Sequence, residues 1–573
     1  MRELNPSIPI CREGAYVVKQ LDSLPGSSSS LVPSLRATST SKKGSTDFNL
    51  KFMPHHYPKM EFSRVKGLSL LASCALAVLR DWPTDLTTPF QQRIGVKGPD
   101  AISIGWNTYK HLCQPCVQYG TSDKHLDMQQ CSNDSVTYHP SRTHANTVIL
   151  SGLEPATTYY YKIESTNSTI EHFFSPRDQG DRSPFAVNVF SDLGVHDVDR
   201  YTTNVSMGKR DTIPHIEPAL EQTTIGQLAS TIDDYELVVH PGGLAYADDW
   251  ILEPLNTLLH KNASFGEIFE DLANHSDAFQ VIIENFYDQL APIAARKPYM
   301  VGPGSHEARC LEERHISELF CPVGHSNFTD FMTRFRPMMP TAFASKSGDS
   351  LSLSTANRAR MLARPPFWYS FEYGMVHFVM IDTETDFESA PDQPGGFAGL
   401  DSGPFGSQNQ QREFLEADLS SVDRSVTPWV VVSGHRPWYT ALASGDGPCL
   451  PCQAAFEPLL YRYGVDLAIF GHVHNSQRFD PVFNGTADPK GLDDPKAPMY
   501  IVAGAAGSIE GLDHLVHRPA STAWAYDEDF NYAQIRFLDE KKMSVSFYRS
   551  TNGELLDHSV LHKSHKDRFV DQS

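Results

Sequence analysis

The chain has 573 residues, 40% hydrophobic and 20% charged, which is a globular composition too long for one core and sufficient for two or three domains. Its net charge of −21 argues against nucleic acid or an anionic membrane as a partner, and against long-range steering of an anionic substrate. A phosphate bound here needs bound cations for local attraction, and no apolar run reaches the roughly 18 residues of a membrane span.

In chain order, residues 1–59 are polar and Ser-rich ("GSSSSLVPSLRATSTSKKGST") and read as a disordered or spurious extension. Met60 opens "MEFSRVKGLSLLASCALAVLRDW", with basic Arg64 and Lys66, an apolar stretch from Leu68 to Leu79, and the small-x-small triplet Ala75-Leu76-Ala77. Residues 60–79 therefore read as a signal peptide and the protein as secreted, the alternative being a buried helix behind a disordered tail. Sequons at Asn133, Asn167, Asn204, Asn262, Asn274, Asn327 and Asn484, all in polar, loop-like contexts, agree with secretion. So do the cysteines Cys113, Cys116, Cys131, Cys310, Cys321, Cys449 and Cys452. Local disulfides Cys310–Cys321 and Cys449–Cys452 are expected, with one cysteine left over. The C-x-x-C pairs at Cys113/Cys116 and Cys449/Cys452 have no matching His pairs nearby and read as disulfides rather than zinc sites.

Residues 90–180 read as short strands and turns ("AISIGWNTY", "NTVILSGLEPATTYYYKIES", "IEHFFSP"). The stretch "LSGLEPATTYYYKI" resembles the tyrosine-corner region of a fibronectin-III-like sandwich, and nothing in this segment suggests chemistry. After Pro184 hydrophobic runs alternate with helical stretches, and each run ends in Gly and a polar cluster: "FAVNVFSDLGVHD", "YELVVHPGGLAYADDW", "KPYMVGPGSHEARC", "FVMIDTETD", "PWVVVSGHRPWYT", "VDLAIFGHVHNSQRF". Such runs suit strands buried on both faces of an α/β fold, where ligands gather at the carboxyl ends of the strands. Residues 184–497 read as this catalytic domain, and 498–562, with "MYIVAGAAGS" and "FNYAQIRFLDEKKMSVSFYRS", as strands closing a second sheet.

The strand ends carry the chemistry. In "GHVH", His472 and His474 stand one residue apart, able to face different ions if the loop turns between them. An H-x-H pair alone is a weak signal, but Asp192 ("SDLG"), Tyr246 ("AYADDW"), His306 and Glu307 ("GSHE") and His435 ("SGHRP") each end a strand of their own. Singly, Tyr246 reads as core packing and His306 as a satisfied polar residue; jointly they read as a site.

In this order the residues resemble the purple acid phosphatases of the calcineurin-like metallophosphoesterases, whose signature runs D-x-G, G-D-x-x-Y, G-N-H-E, a lone His before Arg-Pro, and G-H-x-H. The resemblance spans about residues 90 to 560, and the texture is similar to the secreted fungal-type members. It implies an αββαβ metallophosphoesterase sandwich preceded by the fibronectin-like domain. It implies iron(III) on Asp192, Tyr246 and His474, and zinc, manganese or iron(II) on His435 and His472, with His306 protonating the leaving alkoxide. The implied reaction is attack of a metal-bound hydroxide on a phosphate monoester.

Two positions depart from the pattern. Gly243 stands where the family's bridging carboxylate is, and Ser305, a weak ligand, where its amide ligand is. Two cations about 3.5–4 Å apart repel unless an anion lies between them. Asp248 and Asp249 lie close by but are not expected to replace the bridge, so the expected centre holds one ion well and the second poorly. The expected function is a phosphatase of reduced activity, the alternative being an impaired pseudo-phosphatase that acts as a binding protein. Restoring both positions (Gly243→Asp with Ser305→Asn) is then expected to raise metal content and rate together.

Overall fold

The computed structural model describes residues 83–196, 223–248, 265–310, 321–442 and 447–566, apart from single positions 322, 342, 344, 394 and 401, with only the backbone described for 265–278. The signal peptide, Asp249, Asn204 and Asn262 lie outside the described residues.

The first domain is a sandwich of two four-stranded antiparallel sheets. One has the spatial order Phe90–Gly98, Ala101–Thr108, His144–Leu150, Asp134–Val136; the other Met128–Cys131, Cys116–Gly120, Thr158–Ile163, Glu171–Phe174. Alternate residues Ile102, Ile104 and Trp106 point into the sandwich against Val117, Tyr161 and Phe173. The tyrosine corner is present: the Glu154 N–H donates to Tyr159 Oη at 3.1 Å. Ala101–Thr108 is nevertheless buried along its whole length, because its other face meets the next domain. Ser103 Oγ donates to the Met338 carbonyl at 2.9 Å, and a Cβ on Gly105 would stand 2.6 Å from Met338 Sδ. Tyr161 Oη donates to the Ala295 carbonyl and Arg142 pairs with Glu284 at 2.6 Å.

The second domain is α/β, with two sheets sharing one hydrophobic core. A six-stranded sheet runs Tyr299–Gly302, Leu237–Pro241, Phe185–Val189, Asn531–Phe537, Lys542–Arg549, Leu555–His562, its first three strands parallel. A seven-stranded sheet runs Tyr369–Tyr373, Val376–Met380, Trp429–Ser433, Leu467–Phe470, Met499–Ala503, Ser476–Phe479, Thr522–Tyr526, with four successive parallel strands starting at Val376–Met380. The parallel strands are buried on both faces, as their unbroken Val, Ile and Phe runs require. The expectation that everything after residue 498 closes one sheet is corrected. Met499–Ala503 lies inside the seven-stranded sheet and the later long strands join the other, because its five fully buried residues need cover on both faces.

Disulfides join Cys310–Cys321 and Cys449–Cys452, as expected. Cys116 pairs with Cys131 across two adjacent strands rather than with Cys113, and Cys113 is disulfide-bonded as well, so among the described cysteines the left-over one that was expected is not found. Asn133, Asn167, Asn327 and Asn484 are exposed. Asn274 lies within the helix Phe265–Ala294, not in a loop. Among the described residues no helix is long and apolar enough to cross a membrane.

Candidate metal centre

Both sheets deliver their polar residues to one place, since each candidate follows the carboxyl end of a parallel strand. Asp192 follows Phe185–Val189, Tyr246 follows Leu237–Pro241, and Ser305 and His306 follow Tyr299–Gly302. His435 follows Trp429–Ser433, and His472 and His474 follow Leu467–Phe470. Asp192, Tyr246 and His472 have φ of +62°, +53° and +67°, the left-handed region that non-glycine residues adopt at a cost. That turn aims their side chains back across the strand ends.

Three candidates converge. Tyr246 Oη donates to Asp192 Oδ1 at 2.7 Å and lies 2.7 Å from His474 Nε2, while His474 Nε2 and Asp192 Oδ1 are 3.9 Å apart. Oxygen and nitrogen donors so spaced suit a single ion with bonds of about 2.0–2.2 Å. The three are a phenol, a carboxylate and an imidazole. Among the described residues no cluster of three or more His, Cys, Asp or Glu side chains is placed to hold an ion. Asp192 is fully buried, and burial pushes its carboxyl up to about 6 against the pull of His474 and the Tyr246 hydrogen bond. The His472 backbone N–H donates to its Oδ2 at 2.7 Å.

His435 approaches the same carboxylate oxygen, with Nε2 also 3.9 Å from Asp192 Oδ1. Its Nδ1 is 3.0 Å from the Pro241 carbonyl, and its Nε2 is buried without a hydrogen-bond partner. Ser305 Oγ is likewise buried without one. An orphaned nitrogen and hydroxyl beside a carboxylate are the marks of a place meant for a ligand. The ring of His472, the expected partner of His435, packs edge-on against it with centroids 5.1 Å apart, and Arg436 Nη1 lies 2.7 Å from its Nε2. Burial first, and Arg436 second, hold both His435 and His472 well below the usual imidazole range, so both are neutral.

His306 packs face to face with Tyr246, ring centroids 3.9 Å apart, and its Nδ1 is 2.9 Å from Asp248 Oδ2. Asp248 is thus the partner of a histidine. Glu307 closes the Gly-rich turn: it accepts the backbone N–H groups of Gly243, Leu244 and Gly304 at 3.1, 2.6 and 2.9 Å. Burial pushes its carboxyl up to about 8 in spite of those donors.

Gly243 changes the sense of the missing bridge. At φ +70°, a Cβ there would lie 2.9 Å from both Cα and Cγ of Asp192. The Asp192 carboxylate fills the space next to residue 243, so restoring an aspartate is not a simple addition of a ligand. Sequence reasoning missed three members of this site, namely Arg436, Glu384 behind it, and Asp248 as the support of His306. Arg436 adjoins a candidate ligand in "SGHRP", and that adjacency was the one available signal.

The sequence matches three family patterns in succession: the purple acid phosphatase N-terminal domain over residues 89–177, the calcineurin-like phosphoesterases over 189–476, and the iron/zinc purple acid phosphatase-like C-terminal pattern over 497–558. It is 54% identical to acid phosphatase A of Cryphonectria parasitica, over 89% of this chain and 99% of that one. It is 30% identical to an acid phosphatase of Aspergillus ficuum, over 81% of this chain and 85% of that one. The purple acid phosphatase PPD1 from yellow lupin seeds shares the fold, with a TM-score of 0.53 at 20% identity over 83% of this chain and 75% of that one. An all-β domain ahead of an α/β domain, strand-end residues around a buried carboxylate, and these matches make one conclusion: the chain belongs to the purple acid phosphatases, phosphoesterase hydrolases whose family implies a dinuclear metal centre.

Proposed function

We propose that this chain hydrolyses phosphate monoesters at acid pH, at a reduced rate, with an iron(III) ion held by Asp192, Tyr246 and His474. The observation that carries the reading is the convergence of those three side chains at one point, 2.7 Å from Tyr246 Oη on either side. Such an ion, when bound, lowers the pKa of water and neutralises phosphoryl oxygens. The protein's own contribution is to aim Asp192 and Tyr246 through their left-handed backbones, to bury the site, and to supply a proton. His306 is held through Nδ1 by Asp248, which leaves Nε2 as the nitrogen that delivers a proton to the leaving alkoxide.

A second ion (zinc, manganese or iron(II)) on His435, His472 and Ser305 is held weakly, because residue 243 supplies no carboxylate between the two. The Arg436–His472 contact also favours the binding-protein alternative, in which the fold survives and turnover does not. Exposed sequons and three local disulfides support a secreted protein. The net charge of −21 supports neither nucleic acid nor an anionic membrane as a partner.

The test is metal analysis of the purified protein beside a phosphomonoester assay at acid pH. Activity that follows iron content, together with a visible absorption band that vanishes in Tyr246→Phe, is the expected result. Full metal loading with no turnover selects the binding-protein alternative, and turnover indifferent to metal removal overturns the metallophosphatase reading.

A further inference from the structure

Where the sandwich meets the α/β domain, buried positive charge exceeds negative. Arg142 has a carboxylate there, donating to Glu284 through Nε and Nη2 at 2.7 and 2.6 Å. So has Arg334, whose Nε donates to Asp330 Oδ1 at 2.9 Å. Arg93, on the strand Phe90–Gly98, is 2% exposed and is held by neutral groups alone. Its Nη1 donates to the Gln91 carbonyl at 3.1 Å and to Asn107 Oδ1 at 3.0 Å. Its Nε and Nη2 are buried without a hydrogen-bond partner. The rings of Tyr287 and Phe335 lie 5.4 and 5.8 Å from its Cζ, a weak attraction that leaves those donors and the net charge in place.

A cavity adjoins this guanidinium. Arg93 and Gln91 line it from the sandwich, and Tyr287, Leu290, Tyr299 and Phe335 from the catalytic domain. Its volume of about 10 Å³ has room for one occupant the size of a water molecule. Charge selects that occupant. Burial first, and Arg334 second, lower the Arg93 pKa to about 10, so the group stays charged at any working pH. Asp330, the carboxylate that acts on it, is already bonded to Arg334. A buried charge without a counter-charge is costly. A water would satisfy hydrogen bonds, including one for the unpartnered Gln91 Oε1, and leave the charge standing. Phosphate needs more room than this. A halide accepts from N–H donors, cancels the charge and is little larger than water.

We propose that a chloride ion binds Arg93 in this cavity and serves as the counter-ion that joins the sandwich to the catalytic domain. No residue of the metal centre takes part, so the site is independent of the phosphatase reading. It explains three features together: a buried guanidinium with two idle N–H groups, the excess of positive charge at the contact, and a cavity too small for an organic ligand. The ion ties the strand Phe90–Gly98 to the helix Phe265–Ala294, which supplies Tyr287 and Leu290 to the cavity wall.

The experiment uses the full-length protein and two readouts. Crystals grown with sodium bromide in place of chloride are measured at the bromine absorption edge, and an anomalous peak beside Arg93 Nε and Nη2 is expected. An ordered water there, without anomalous signal, overturns the inference. In solution, melting is followed as chloride replaces gluconate at constant ionic strength. The wild-type chain is expected to gain a few °C over about a hundredfold rise in chloride, by mass action on the folded state, and sulfate is expected not to substitute. Arg93→Leu is expected to melt independently of chloride. Arg93→Lys guards against failure of the first variant to fold, and is expected to need at least tenfold more chloride for the same gain. Wild-type melting indifferent to chloride, or a gain undiminished in either folded variant, overturns the inference and leaves the metallophosphatase reading standing.

Discussion

The two halves of this centre are made of the same kinds of residue and have opposite characters. In the tyrosine half, Asp192 Oδ1 and His474 Nε2 both lie 2.7 Å from the Tyr246 phenol oxygen, so the three side chains meet at one point. In the arginine half, His472 gives its lone pair to Arg436, while His435 Nε2 and Ser305 Oγ face buried space without partners. Counting candidate ligands would rate the halves alike. What separates them is where each lone pair points and whether a fixed positive charge is already there, because a cation site needs both donors and a local excess of negative charge.

The largest effect is expected from removing the carboxylate that both halves face. Asp192→Ala should abolish metal retention, measured as ions per chain, and lower the rate beyond the roughly 100-fold typical of outer supporting groups. Retention of a full ion would erase the contrast between the halves. Next is His306→Gln, which should cut kcat for alkyl phosphates by about 10²–10⁴-fold while leaving metal content unchanged. A parallel loss of metal would make His306 a ligand. Asp248→Asn, acting only through His306, should cost about 10–100-fold by analogy with other supporting partners. It should also shift the limb of the pH–rate profile assigned to His306, which a merely structural role would not do.

Smaller still is Gly243→Ala. The left-handed backbone costs about 1–2 kcal/mol for a residue with a Cβ, and the added atom must push Asp192 aside, so metal affinity in the tyrosine half should fall. Equal or tighter binding would show that Asp192 adapts, and would revive the expectation that Gly243→Asp simply restores a ligand.

The smallest effect is one of pH. Burial raises the Glu307 carboxyl from an ordinary 4.5 to about 8. The folded state therefore holds a proton there that the unfolded state has released, so this group's contribution to stability falls as pH rises from 4.5 to about 8. Metal-free protein should melt a few °C lower at the upper end of that range, and Glu307→Gln should flatten the slope. A slope unchanged in Glu307→Gln would move the effect to another group and leave the turn that positions the tyrosine half insensitive to pH.

Much of this architecture was legible in the residues. Unbroken apolar runs ending in glycine mark buried parallel strands, and "LSGLEPATTYYYKI" marks the corner that Tyr159 closes on Glu154. The close spacings of Cys310–Cys321 and Cys449–Cys452 suggested their disulfides. Other features were beyond that reading. Cys116 bonds to Cys131 and not to Cys113 because strand register, not sequence spacing, puts the two side by side. Met499–Ala503 enters the middle of one sheet while the three strands from Asn531 onward join the other, since burial on both faces leaves no signal of which sheet supplies the cover.

The amino-acid sequence by itself determined which residue types stand at the strand ends and that position 243 has no side chain, because both are properties of single positions and local periodicity. Only the tertiary structure decided that the Asp192 carboxylate fills the space beside Gly243 and that Arg436 holds His472. Those contacts join residues 51 and 36 positions apart on separate loops, and the direction of a lone pair is settled by packing across such distances rather than by neighbours in the chain.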